Sequence, residues 1–410
     1  MNGSFLRVSG TSIINGDGKR IVLKGVNFGG WLMMEAYFMH APNTAVRLMK
    51  KEFEKSLGPR ALAELEKAFC DNFIREEDMR RVADFGFNCV RLPFHFSLIE
   101  TTAYAYSKAG LSYLDEALRW ARKYGVYVIL DLHAAPGAQN HDWHSDSLGK
   151  ADFWTSASCR KRVYALWEFL ADHFKDEPMV AGYDVLNEAV LGDAKILNEF
   201  YHGVIKAIRR SDKKHILFIE GTRWAQDIAV LDDFVDDNWL YSIHFYEPPE
   251  FTFNFVPHLR YPFKIPQVKW DKDIMRRRIE GYYKFAKQRN RPVHVGEFGV
   301  NYREGIYNEH VYIRDLVKCF DDFGFHWNYW TYKAVKHFMF PDGIYSYYPN
   351  PAWVNRQGPV TGWNRWMDLW GKHKKDMIAS WRTGAFAANT HVLNPLKESA
   401  RCKSQASRTL

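Results

Sequence analysis

Val180-Ala-Gly-Tyr-Asp-Val-Leu-Asn187-Glu188 is a short apolar run that ends on an amide and a carboxylate. A carboxylate at the C-terminal end of a buried strand costs desolvation energy unless something partners it. A second run, Pro292-Val-His-Val-Gly-Glu297, ends the same way 109 residues further on. Two carboxylates on two separate strand ends indicate a site rather than a core. Cleavage of a glycosidic bond requires such a pair, one as proton donor and one as nucleophile or base.

Runs of the same kind recur along the chain, at residues 21–27, 88–93, 126–133, 180–187, 215–220, 240–246, 292–297 and 325–330. Most are apolar on both faces, as strands of a parallel sheet covered on both sides must be. Segments of helical period lie between them. In residues 112–124, for example, Leu114, Ala117, Leu118 and Ala121 mark one face and Gly125 is placed as a C-cap. Eight β/α repeats predict an α/β protein, a single (β/α)8 TIM barrel. Ahead of it, Leu6-Arg-Val and the stretch from Ile13 flank Asn15-Gly-Asp-Gly18, which predicts an N-terminal β-hairpin. Residues 35–74 are too long for a loop and predict a helical insertion after strand 1, and a long connection, 334–366, follows strand 8. Both are expected on the C-terminal rim, where barrel sites are built. Residues 1–393 are thus read as one catalytic domain and residues 394–410 as a polar tail, poorly ordered.

If the barrel closes, its strand ends converge. They present Arg91 after strand 2, His133 after strand 3, Asn187 and Glu188 after strand 4, His244 and Tyr246 after strand 6, Glu297 after strand 7 and Trp330 after strand 8. Chemistry assigns roles. A nucleophilic carboxylate must stay ionised, and Arg91 and Tyr246 are suited to lowering the pKa of Glu297. The proton donor must keep its proton near neutral pH, and a second carboxylate close to Glu188 would raise its pKa. Asn187 can donate to a sugar 2-hydroxyl, His133 and His244 can hold hydroxyls or orient a carboxylate, and Trp330 offers a platform for the ring. No metal or cofactor is needed. The two histidines of His141-Asp-Trp-His144 stand three apart without further ligands at recognisable spacing.

These motifs carry a resemblance. Asn88-Cys-Val-Arg91-Leu-Pro, Asp131-Leu-His133, Leu186-Asn187-Glu188, His244-Phe-Tyr246, Gly296-Glu297-Phe-Gly and Trp330 resemble those of glycoside hydrolase family 5, a retaining (β/α)8 family. The likeness runs over roughly residues 6–382. It implies Glu188 as acid/base, Glu297 as nucleophile and carboxyl groups ~5 Å apart. Val26-Asn-Phe-Gly-Gly-Trp31-Leu, followed by Glu35, looks most like the exo-acting β-1,3-glucanases and related β-glucosidases, where the glutamate after Gly-Gly-Trp binds hydroxyls of the terminal glucose. Glu35 is carried over on that basis. Trp31, Trp143 and Trp154 are rim aromatics suited either to packing or to sugar stacking, and Trp31 is grouped with the site.

Composition sets the remaining bounds. Aromatic residues reach 16%, with 15 Trp and 22 Tyr, a supply of flat apolar faces with polar edges that suits sugar rings. A net charge of +8 with no arginine-rich stripe reads as solvated surface and argues against nucleic acid. No apolar run reaches membrane-spanning length. Cys70, Cys89, Cys159, Cys319 and Cys402 show no CxxC spacing and favour free thiols in a reducing compartment. Met1-Asn-Gly-Ser-Phe-Leu-Arg has no basic region leading into an apolar one, so a cytoplasmic location is expected, or a secreted one for a chain trimmed of its leader. The partner expected is a β-linked oligosaccharide or glycoside, cleaved with retention in exo- or β-glucosidase-like fashion. An open-cleft endo-β-1,4-glucanase and a non-catalytic carbohydrate-binding protein on the same fold are the alternatives.

Overall fold

The eight apolar runs become eight parallel strands of a closed barrel in the computed structural model, which describes residues 4–39, 43–336, 338–347 and 362–402. They are β1 (Lys24–Asn27), β2 (Cys89–His95), β3 (Tyr127–Ala134), β4 (Val180–Asp184), β5 (Ile216–Glu220), β6 (Trp239–His244), β7 (Val293–Glu297) and β8 (His326–Tyr329). Each pairs with its neighbours in sequence, and β8 returns to β1 through Trp327–Lys24 and Tyr329–Val26. Close approach of neighbours needs small residues. A Cβ on Gly182 in β4 would lie 2.1 Å from the Ile216 carbonyl of β5, so glycine is required there.

The long helices are α1 (Val46–Leu57), α2 (Pro59–Asn72), α3 (Glu76–Phe85), α4 (Lys108–Tyr124), α5 (Ala157–Phe174), α6 (Ala194–Ser211), α7 (Lys272–Gln288), α8 (Glu309–Phe323), α9 (Gly362–Trp381) and α10 (Thr390–Arg401). α4 begins where Ser107 Oγ accepts the Gly110 amide and ends at Gly125 with φ 68°, as its sequence signals. α1 and α2 are the expected insertion after β1. Between β5 and β6 only short helical turns occur, Thr222–Ala225 and Ile228–Val230.

The N-terminal strands Arg7–Ser9, Ser12–Ile14 and Arg20–Ile21 form a small antiparallel sheet, one strand more than the expected hairpin. Leu6, Ile13 and Leu23 join Cys89, Ile129, Ile216, Phe218 and Leu240 in a separate apolar cluster. It closes the N-terminal end of the barrel and leaves the C-terminal end for the site. The cysteines are free thiols. Among the described residues no helix is long and apolar enough to cross a membrane.

The expectation of a disordered tail from residue 394 is corrected. Residues 394–401 lie in α10, where Val392, Leu393, Pro395 and Leu396 are buried, and Ser399 Oγ donates to Asp321 Oδ2 at 2.6 Å. The apolar positions 392, 393 and 396 make a short helical face that intervening charges and a proline disguise. The final residues, 403–410, lie outside the described residues, as do 348–361 of the long connection after β8.

Candidate active site

Arg91, on β2, is wholly buried and organises the C-terminal end of the barrel. Its Nε donates to Asp184 Oδ2 (2.7 Å), Nη1 to Glu297 Oε1 (2.9 Å) and to Asn27 Oδ1 (3.2 Å), and Nη2 to Asn187 Oδ1 (2.8 Å). Asp131 and Glu220 stand 3.1 and 3.4 Å from Nη2. One guanidinium therefore serves four buried carboxylates, not Glu297 alone. The excess negative charge is met by histidines. His133 has Nδ1 2.7 Å from Asp131, and although burial pulls its pKa down, Asp131 and Glu35 push it up to about 10. His244 is raised well above the ordinary imidazole value, since Glu297 and Glu220 outweigh its burial. Asp184 is driven well above the carboxylate range by burial and by Glu220.

Glu188 and Glu297 meet above this layer. One carboxylate oxygen of each, with a ring nitrogen of His244, lie within 4.8 Å of one another. Tyr246 donates its hydroxyl to Glu297 Oε2 (2.9 Å). Glu188 sits just beyond the end of β4 with φ 48°, a left-handed backbone held by its N–H donating to Glu220 Oε2 at 2.6 Å. Its Oε1 is 2.7 Å from His244 Nδ1 and its Oε2 is 2.9 Å from His144 Nε2.

The charge balance runs opposite to the sequence expectation. Burial, with the neighbouring Glu188, pushes Glu297 up against the pull of His244 and Arg91. Burial also acts on Glu188, but contacts with His144 and His244 outweigh it and hold that carboxyl well below its ordinary value. His144 is correspondingly raised by Glu188 against its own burial. The reason is local. Glu188 has two imidazoles at contact distance, whereas the Arg91 that faces Glu297 is shared among four acids.

The other expected residues divide. His133 stacks on Trp330 (centroids 5.3 Å apart), and Trp330 Nε1 donates to Tyr37 Oη at 2.7 Å. Both line a cavity of about 450 Å³ together with Glu35, Glu188, Tyr246 and Glu297. Asn187 Nδ2 is buried without a hydrogen-bond partner, which is how a group reserved for a ligand presents itself, and Glu35 Oε1 is buried 3.5 Å from His133 Nε2. Trp31 is corrected: it lies outside this cavity, stacked on Trp120 with Nε1 donating to the Cys70 carbonyl, and it anchors the helical insertion. Trp154 likewise packs, its Nε1 on the Gln139 carbonyl, whereas Trp143 lines the cavity. His141 and His144 do not converge: His144 turns to Glu188 and His141 is exposed.

Several residues of the site were not singled out from sequence. Glu220 closes an apolar strand just as Glu188 and Glu297 do, and that signal was available. Asp131 and Asp184 alternate with apolar residues inside their strands, and only barrel closure turns them onto Arg91. Asn27 ends β1 and likewise meets Arg91 only on closure, whereas Tyr37 and His144 depend on where the insertion and the β3 loop fold.

A closed (β/α)8 barrel with two carboxylates set over a buried arginine defines the class as an O-glycosyl hydrolase. Residues 52–336 match the family described as Cellulase (glycosyl hydrolase family 5), and the chain belongs to that family. Among its relatives, a beta-xylosidase of Phanerodontia chrysosporium is 31% identical over 351 residues, covering 81% of this chain and 71% of that protein. Endoglucanase C of Acetivibrio thermocellus is 26% identical over 344 residues, 76% of this chain and 91% of that one. A glucan 1,3-beta-glucosidase of Schwanniomyces occidentalis is 29% identical over 247 residues, 55% of this chain and 56% of that one.

Proposed function

We propose that the protein is a retaining β-glycosidase of exo- or β-glucosidase-like action on β-glucosides and β-glucan oligosaccharides. The observation that carries the retaining mechanism is the approach of the Glu188 and Glu297 oxygens to within 4.8 Å, since a spacing near 5 Å leaves no room for a water between the second carboxylate and the sugar. Glu297, ionised beside Arg91 and Tyr246, attacks the anomeric carbon. The bond to the leaving oxygen breaks, and that oxygen takes the proton of Glu188. A water activated by Glu188 then cleaves the glycosyl ester. Asn187 Nδ2, buried and unpartnered, and Glu35, buried beside His133 at the cavity wall, are suited to the sugar hydroxyls, and Trp330 to the ring face.

Exo action is supported by a wall across one end of the cavity. Tyr37 from the insertion after β1, Trp143 from the β3 loop, Phe253 from the β6 loop and Phe340 from the β8 loop touch in series, with ring centroids 5.6–6.0 Å apart. Four loops joined in this way favour a blind pocket over a through-going cleft. The relatives' own names point both ways on this, so the product pattern decides it. On a soluble β-glucan, monosaccharide should appear from the first minutes; a mixture of oligomers at early times means an open cleft. On an aryl β-glucoside, Glu297→Gln should lose several orders of magnitude in kcat, as expected for a missing covalent nucleophile. NMR of the first-formed product should show the β-anomer. Wild-type activity in the variant, or an initial α-anomer, refutes the mechanism.

A further inference from the structure

The wall of Tyr37, Trp143, Phe340 and Phe253 lies across one end of the cavity, so the group released on cleavage is directed to the other side. That side is formed by Trp224 and Gln226 of the β5 loop and by Glu247, Pro249 and Phe255 of the β6 loop, all of which line the cavity. Trp224 reaches it on a strained backbone. Arg223, Trp224 and Ala225 have φ of 55°, 54° and 59°, three successive left-handed residues without a glycine. Such a backbone persists only where its surroundings enforce it, and it collects at ligand clamps. Here Thr222 and Asp227 bridge the base of the turn, Ala225 is fully buried, and Trp224 Nε1 donates to Asp142 Oδ2 at 2.8 Å. The half-buried indole is thereby locked between two rim loops at the edge of the cavity.

The β6 loop carries the apolar surface further out. Phe253 meets Phe340 and Phe255 at 5.6 and 5.4 Å between ring centroids, and Phe255 is itself 6.2 Å from Phe340. Asn254 Nδ2 donates to the Phe338 carbonyl at 2.8 Å and ties the β8 loop alongside. Phe255, Val256 and Phe338 then continue the strip onto the surface, 50%, 42% and 56% exposed. Apolar side chains exposed singly are ordinary, but a strip continuous with a reaction cavity marks where an apolar ligand lies. The carboxylates on this side are engaged: Asp142 Oδ2 holds Trp224, and Glu247 Oε2 is 3.3 Å from Arg278 Nε. A sugar placed here would turn hydroxyls against indole and phenyl faces, losing more hydrogen bonds to water than the exposed Gln226 amide can replace. We propose that the substrate is a β-glucoside whose aglycone is an extended hydrocarbon chain. The sugar occupies the walled end, and the chain passes Trp224 and Phe255 and runs out along Val256 and Phe338. The assignment rests on the exo-acting β-glucosidase reading and names its substrate class. Hydrolysis then releases glucose and a long-chain alcohol, the Glu188 proton going to the alcohol oxygen and the oxygen of water to the sugar.

The test is kcat/KM along methyl, butyl, hexyl and octyl β-glucosides, each below its micelle concentration, with cellobiose and laminaribiose beside them. Apolar contact kept in the transition state raises kcat/KM. From butyl to octyl the rise should be about twofold to fourfold per methylene, and octyl glucoside should exceed both disaccharides by about tenfold or more. In the double variant Phe255→Ser, Phe338→Ser, at exposed positions where substitution costs little stability, the rise should fall below about 1.5-fold per methylene. A flat series in the wild-type protein, a disaccharide cleaved faster than octyl glucoside, or a slope unaltered in the double variant overturns the proposal and leaves the β-glucosidase reading standing. Cleavage of none of these β-glucosides overturns both.

Discussion

Glu220 closes β5 at the bottom of the site and is not among the residues that line the cavity of Glu188 and Glu297. Its Oε2 accepts the Glu188 N–H at 2.6 Å, and its Oε1 lies 3.1 Å from His244 Nε2. It thereby holds Glu188 in a left-handed backbone that a β-substituted residue adopts only when its surroundings enforce it. Glu220→Gln keeps an oxygen but turns an amide N–H group toward Arg91, His244 or the Glu188 amide. The expected outcome is a kcat lower by about tenfold to a hundredfold with KM changed by less than about threefold, since no sugar contact is lost. Steady-state kinetics on an aryl β-glucoside check it. A raised KM at unchanged kcat contradicts the positioning role. The residue was legible by the same rule that found Glu188 and Glu297, an acid ending an apolar strand. Its strand was nevertheless left without a functional residue, because Gly221-Thr-Arg after it match no familiar motif.

At the scale of elements, the strands were legible because a strand buried on both faces must be apolar throughout, and that pattern survives without tertiary knowledge. β4 is shorter than the sequence run. The strand proper ends at Asp184, yet Val185 still donates its N–H to the Phe218 carbonyl of β5 and Asn187 to the Leu132 carbonyl of β3, so the chain turns into the cavity only at Glu188. α10 was not legible. Pro395 within the helix and the charges Lys397, Glu398 and Arg401 mask an apolar face of only three residues. Its helicity comes from packing, not propensity: Leu396 is fully buried, and Lys24 Nζ of β1 donates to the Ser399 carbonyl at 2.8 Å. Leu396→Ala should cost about 2–5 kcal/mol, read as a lower urea midpoint at unchanged slope. A change below about 0.5 kcal/mol would restore the description of this segment as a tail.

For the whole molecule, the barrel interior sets a dependence of stability on pH. His326 on β8 is buried, its Nδ1 accepts the Leu23 amide at 3.0 Å, and its Nε2 has no hydrogen-bond partner. Burial lowers its pKa to about 3, and that of His294 is lowered well below the ordinary value by the same cause. An unfolded histidine takes a proton near pH ~6.5. Between there and about 3 the unfolded chain binds protons that the folded His326 refuses, so its contribution is fully present above the unfolded value and is lost as pH falls. Urea midpoints should therefore decline from pH ~7 to ~4.5, and the decline should be shallower in His326→Gln. An equal decline in both proteins would remove His326 from the account.

The sequence by itself determined the barrel, its eight strands, and the convergence of Arg91, Asn187, Glu188, His244, Tyr246 and Glu297 on one end of it. Periodicity and strand-end placement are local properties, and closing the barrel needs nothing more. Only the tertiary structure decided how the charges are shared. Arg91 lies among four acids because β3, β4, β5 and β7 all turn side chains onto it, and no spacing along the chain records that. The same holds for Trp31, drawn under the insertion by Trp120, and for His144, whose rim loop returns it to Glu188. The charge of each acid depends on contacts between distant segments, so the acid could be named from its strand while the groups that tune it emerged only from the fold.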